Sequence, residues 1–149
     1  MKDTLKKWFM KLALVSLIVG VWGLGWLSAS QAWAGGAQKF QLVQSREVSA
    51  WLKDKAHPVY VFDANSDYTR KSKGVVPGAK LLSSYKNYDI SKELPLAKDS
   101  RLVFYCMNEK CTASHSAAEK AVDAGYTQVN VMSDGIQGWL KSGFSAAKP

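Results

Sequence analysis

The two cysteines of this 149-residue chain fall in one stretch, Phe104-Tyr105-Cys106-Met107-Asn108-Glu109-Lys110-Cys111-Thr112, after an apolar run and before a small-residue segment of helical spacing. A thiolate is both a nucleophile and a sulfur acceptor, so a cysteine held where backbone N–H groups converge can take up a group and pass it on. Two thiols five positions apart can instead bridge, if the loop brings their Cα atoms within about 4.4 to 6.8 Å. Adding His115 gives three ligands within ten residues, a set that suits zinc or copper, but no fourth ligand is evident and no metal is expected. Two cysteines are too few for a disulfide framework. The domain must therefore stand on an apolar core, which leaves the cysteines for chemistry or one local bridge.

The elements around this stretch decide what the cysteines can do. Arg101 to Tyr105 is a continuous apolar run, as expected of a strand buried on both faces, and it delivers Cys106 at its carboxyl end. A helix from about Thr112 or Ser114 to Ala124 follows, with Ala118, Ala121 and Val122 on one face and Gly125 as its stop. Val59 to Phe62 is a second buried strand, ending in Asp63. Short strands are expected at Phe40 to Val43, Lys80 to Leu82 and Gln128 to Met132. Helices are expected from Ser45, as N-cap, to Lys53, and from Ile136 to Lys141 after an Asp134-Gly135 turn, with one turn around Asp67 to Lys71. Ser83 to Ser100 reads as loop, interrupted by Pro95. Gly74 and Gly78 are backbone necessities of the turn around Pro77, Trp139 belongs to the core, and His57 sits in a loop. Strand and helix alternate, which implies an α/β fold with a mostly parallel sheet and helices on both faces.

In such sheets ligands bind at the carboxyl ends of the strands. The N–H groups of Met107, Asn108, Glu109, Lys110, Cys111 and Thr112, with the positive end of the next helix, are expected to converge on Cys106. They would favour its thiolate and cradle an anion, with a helix-end effect that lowers a thiol pKa by roughly one unit from about 8.5.

Residues 1–34 read as an export signal: a basic start at Lys2, Lys6, Lys7 and Lys11, an uncharged apolar run from Leu12 to Leu27, and Ala32-Trp33-Ala34 before a cleavage point. An uncleaved membrane anchor is the alternative. Either way residues 35–149 form one domain outside the cytoplasm, with a periplasmic location expected. The leader holds four Lys and one Asp of the 20 basic and 12 acidic residues, so the remainder has 16 and 11, a net charge of +5. That excess is spread along the chain without an Arg-rich stripe, which argues against a nucleic-acid partner.

The exported domain resembles a single-domain rhodanese-like sulfurtransferase over nearly all of residues 40–144. The similarity rests on VYVFDANSDYTRKSKGVVPGAKLL, with its strand ending in Asp and its Gly-x-x-Pro-Gly-Ala turn, on RLVFYC, and on SHSAAEKAVDAGYTQVNVMSDGIQGW. The resemblance implies that Cys106 accepts a sulfane sulfur from thiosulfate or a persulfide, becomes a persulfide, and passes the sulfur to a thiol or protein acceptor, without a bound cofactor. It implies that the amides of Met107 to Thr112 stabilise the persulfide and that Asp63 orients loops.

The chain departs from the family pattern in several places. Ala64-Asn65 stands where the family has Arg after the strand Asp, Val75 where it has His, and Cys111 where its loop ends in Arg. An anionic donor then meets only Lys110 and backbone amides, which weakens the case for thiosulfate. The sixth residue after Cys106 is Thr112 and not the Arg a cysteine phosphatase needs to grip a phosphoryl group, which argues against phosphatase activity. Two alternatives stay open: a thiol–disulfide module in which Cys111 resolves Cys106, and a rhodanese-like domain that binds a partner without catalysis.

Overall fold

The computed structural model describes residues 39–149, so the leader expected at 1–34 lies outside the described residues. Five strands form one sheet: β1 (Gln41–Val43), β2 (Val59–Asp63), β3 (Lys80–Leu81), β4 (Arg101–Tyr105) and β5 (Gln128–Met132). Their order is β1-β5-β4-β2-β3, and every pairing is parallel. Five helices join them: α1 (Ser45–Lys53), α2 (Asp67–Lys73), α3 (Ile90–Glu93), α4 (Ala113–Asp123) and α5 (Gly135–Lys141). Among the described residues no helix is long and apolar enough to cross a membrane.

The central strand β4 shows why the apolar runs become buried strands. Leu102 and Phe104 point into one core with Phe62, Ala117, Ala118 and Ala121, while Val103 and Tyr105 point into another with Val48, Ile136 and Trp139. All four β4 side chains are fully buried. Each stabilises the fold by about 1.5 to 3 kcal/mol relative to exposure. The alanines of α4 let that helix lie close to the sheet, as their spacing predicts.

Several expected boundaries shift for local reasons. Ser45 does not cap α1. Its N–H and hydroxyl are taken by the Asp134 carboxylate, at 3.1 and 2.5 Å, and Gln44 caps the helix, its N–H donating to Glu47 Oε2 at 3.0 Å. The single turn expected around Asp67 becomes a seven-residue helix, with the Ser66 hydroxyl accepting from the Thr69 N–H. Within the expected loop 83–100 the Asp89 carboxylate caps the short α3 by accepting from the Ser91 N–H. The turn expected at Asp134-Gly135 is instead the start of α5, with Asp134 as its N-cap.

The register aligns the strand ends that matter: Asp63 faces Tyr105, and Tyr105 faces Met132. Asp63 is fully buried and accepts from Arg70 Nε at 3.1 Å, from the Asn65 N–H at 2.7 Å and from Asn65 Nδ2 at 3.3 Å. Arg70 Nη2 also donates to the carbonyls of Asp63 and Leu82, both at 2.9 Å, which ties α2 and the chain after β3 to the end of β2. Removing one partner of a buried pair strands the other charge. We expect Arg70→Met to lower unfolding stability by about 3 to 5 kcal/mol in urea denaturation, with part of the loss restored by adding Asp63→Asn. A loss below about 1 kcal/mol, typical of exposed pairs, would contradict this role.

Candidate functional site

β4 ends at Tyr105, and Cys106 is the first residue beyond it, 1% exposed. The chain that leaves the strand would carry unpaired carbonyls, but the first turn of α5 meets them. The Ile136 N–H donates to the Cys106 carbonyl at 2.9 Å and the Gln137 N–H to the Met107 carbonyl at 3.0 Å. These are N–H groups that a helix start leaves free. The approach is so close that a Cβ on Gly135 would lie 2.6 Å from the Cys106 carbonyl oxygen, and Gly135 has a φ of +59°. Only glycine fits there without displacing the loop.

Asn108 then turns the chain back. Its side-chain oxygen accepts from the Lys110 N–H at 3.1 Å, and its carbonyl accepts from the Cys111 N–H at 3.0 Å. The turn brings Cys111 over Cys106, whose Sγ donates to the Cys111 carbonyl at 3.0 Å and lies 3.2 Å from Ser114 Oγ. Both cysteines are free thiols, Cys106 buried and Cys111 half-buried.

This geometry reverses the expected ionisation. The amides of Lys110 and Cys111 are spent on Asn108, and the Cys111 carbonyl faces the sulfur beside the Ser114 hydroxyl and N–H. Burial first, then hydrogen bonding with the Cys111 side chain, push the Cys106 thiol up from 9.0 to about 11, against an opposing pull from the Ser114 hydroxyl and N–H. The resting group is a neutral thiol. Ser114, in the first turn of α4, is the group placed to donate to a thiolate or persulfide once the thiol proton is gone.

The remaining predicted residues fall on different sides of the loop. Met107 and Cys111 line a cleft of about 470 Å³ with Ala64, Asp67, Leu82, Tyr85 and Ala113. Arg70 also borders it, but its donors go to Asp63, Leu82 and Asp67. Asn108, Glu109 and Lys110 border a second hollow of about 380 Å³ with Asp134, Gln137 and Lys141. Lys110 therefore does not serve the first cleft. Thr112 is exposed before α4. Asp63 holds Asn65 and Arg70 and makes no hydrogen bond to Cys106. His115 packs its ring edge-on against Phe40, and among the described residues no three metal-ligating side chains converge. A third hollow, about 390 Å³ beside Trp51 and Arg101, lies at the amino end of β4, away from Cys106.

Sequence reasoning missed Ser114, Gly135, Gln137 and Arg70 as parts of this site. Gly135 sits in a Ser-Asp-Gly turn signal, but the need for glycine comes from a loop 28 residues earlier. Arg70 lies seven residues after Asp63, beyond the positions beside the strand end where a cation was sought.

Residues 44–142 match the family described as Rhodanese-like domain. Solved structures with similar folds include the polysulfide-sulfur transferase homodimer of Wolinella succinogenes, at 17% identity and TM-score 0.61, covering 73% of this chain and 79% of that one. A rhodanese-related protein of Thermoplasma volcanium is similar at 16% identity and TM-score 0.57, over 74% of this chain and 100% of its own. A protein of unknown function from Rhodopseudomonas palustris, described as a possible tyrosine phosphatase, is similar at 23% identity and TM-score 0.60, over 72% and 85%. No curated protein matches the sequence.

The contact between Gly135 and the loop carbonyls generates a test. Gly135→Ala is expected to destabilise the chain by about 1 to 3 kcal/mol and to shift the amide resonances of residues 106–108. Unchanged stability with an unchanged amide spectrum would show that α5 does not hold the loop.

Proposed function

The chain belongs to the rhodanese-like domain family, and on that premise we propose that it transfers sulfane sulfur through a persulfide on Cys106, outside the cytoplasm, taking the sulfur from an organic persulfide in preference to thiosulfate. The observation that carries this reading is the placement of Cys106: a thiol at the carboxyl end of the central strand, under a loop fixed by α5, with the Ser114 hydroxyl 3.2 Å from its sulfur. The similarity of fold to a polysulfide-sulfur transferase is in keeping with it.

The chemistry follows from the thiol's resting state. Cys106 Sγ attacks the outer sulfur of R–S–SH, the S–S bond of the donor breaks, and RS⁻ leaves with the proton that Cys106 gives up, which yields Cys106–S–SH and R–SH. A leaving thiolate that accepts a proton suits a nucleophile that starts protonated. An acceptor thiolate then takes the outer sulfur and returns Cys106 to the thiol. Ser114 is the positioning residue, able to donate to the sulfur while it carries charge.

The preference for a persulfide rests on the cleft. Thiosulfate is a dianion, and the wall it would meet has the exposed Asp67 carboxylate and an Arg70 with four of its five donors already paired. Ala64, Leu82, Tyr85, Met107 and Ala113 supply an apolar lining that suits an organic R group.

Intact mass of the full chain tests the proposal. The Cys111→Ser variant exposed to cysteine persulfide is expected to gain one sulfur, about 32 Da, and the Cys106→Ser variant none. Thiosulfate is expected to load at least about tenfold more slowly, a difference of roughly 1.4 kcal/mol or more in barrier. No adduct in Cys111→Ser, or an equal adduct in Cys106→Ser, would overturn the assignment.

A further inference from the structure

The Asn108 turn leaves Cys111 in an unusual place: its backbone covers the Cys106 sulfur, while the residue lines the cleft beside the loop. With the Cys111 carbonyl oxygen 3.0 Å from Cys106 Sγ, backbone bond lengths put the Cys111 Cα within about 6 Å of that sulfur. Bridging then requires rotation of the Cys111 side chain and a shift of the loop. The Cys111 side chain already bears on the Cys106 thiol by hydrogen bonding and by the charge it would carry. Cys106 itself is buried and Cys111 half-buried, so Cys111 is the more accessible of the two thiols and the nearer to a sulfur stored on Cys106.

We infer that Cys111 is an internal acceptor that converts the stored sulfur into sulfide. This rests on the Cys106 persulfide reading. In the step, the Cys111 thiolate attacks the inner sulfur, Sγ of Cys106; the bond between the two persulfide sulfurs breaks; and the outer sulfur leaves as HS⁻. The product is a Cys106–Cys111 disulfide. The persulfide sulfur is reduced to sulfide, and the Cys111 thiol supplies the electrons. Two equivalents of a low-molecular-weight thiol, or one dithiol, reduce the disulfide for the next cycle. The net reaction turns one persulfide and two thiols into one thiol, one sulfide and one disulfide.

The test is a single anaerobic turnover of the full, reduced chain with one equivalent of cysteine persulfide and no added thiol. The wild type is expected to release about one equivalent of sulfide and to end about 2 Da lighter, with both cysteines closed to alkylation. The Cys111→Ser variant is expected to keep a gain of about 32 Da and to release sulfide only when dithiothreitol is added. A wild type that keeps the added sulfur with Cys111 open to alkylation, or that forms the disulfide without sulfide, overturns the internal-acceptor role. If Cys111→Ser gains no sulfur, the Cys106 persulfide reading itself falls. The two failures are thus told apart by which variant carries the adduct.

Discussion

Everything at the carboxyl edge of the sheet depends on two hydrogen bonds, from the Ile136 and Gln137 N–H groups to the carbonyls of Cys106 and Met107. A chain leaving a buried strand exposes carbonyls that must be satisfied, and a helix start holds N–H groups with the same need. Bringing the two together requires a backbone approach that only glycine permits, at Gly135. With the first two loop residues fixed, the Asn108 turn closes so that Cys111 lies over Cys106. The fold-level consequence is a cysteine that belongs to the core as much as to the surface.

That placement sets the electrostatics. A helix N-terminus stabilises a nearby anion by up to about 2 kcal/mol, or about 1.5 pH units, whereas full burial can move an ionisable group by about 3 to 5 units. Here the helix end acts only through Ser114, and burial wins. Because the folded thiol titrates near 11 and the ordinary one near 9.0, the folded state prefers the proton. Its contribution to stability is complete below 9.0 and is lost as pH rises through about 11. A neutral resting thiol also resists adventitious oxidation. The difference between resting and reacting states then lies in which neighbour the sulfur faces, the Cys111 carbonyl or the Ser114 hydroxyl.

The fold was largely legible in the sequence because the strongest signals were local. The runs at 59–62 and 101–105 have the length and composition of doubly buried strands, and the alanine spacing of α4 announces a helix lying close to a sheet. Gly125, with φ +91°, stops α4 as its position predicts. The site was half legible. That Cys106 ends a strand followed from pattern alone, but the loop's own hydrogen bonding did not. The Asn108 side chain and carbonyl spend two amides, of Lys110 and Cys111, that would otherwise be free to face the sulfur, and nothing in residue order distinguishes those outcomes. Ser45 was misread for a related reason: a hydroxyl at a helix start has a default local use, and a carboxylate 89 residues away outcompeted it. Arg70 was hidden in the same way, since a buried pair that closes across a helix leaves no trace in spacing.

The cleft adds the last constraint. Its arginine has four of its five donors on Asp63, Leu82 and Asp67, so on the proposed reading recognition falls to Tyr85, Met107 and the alanines more than to charge. On the proposed reading that lining favours a donor with an organic group over a small dianion. The most direct check on the account is the ionisation of Cys106 in the wild-type chain, read as the pH dependence of iodoacetamide modification of its peptide. A midpoint near 11 is the result this loop geometry requires, with roughly one thiol in ten thousand ionised at pH 7. A midpoint at or below about 8.5, the value of an unburied thiol, would mean that converging amides and not the Cys111 carbonyl face the sulfur.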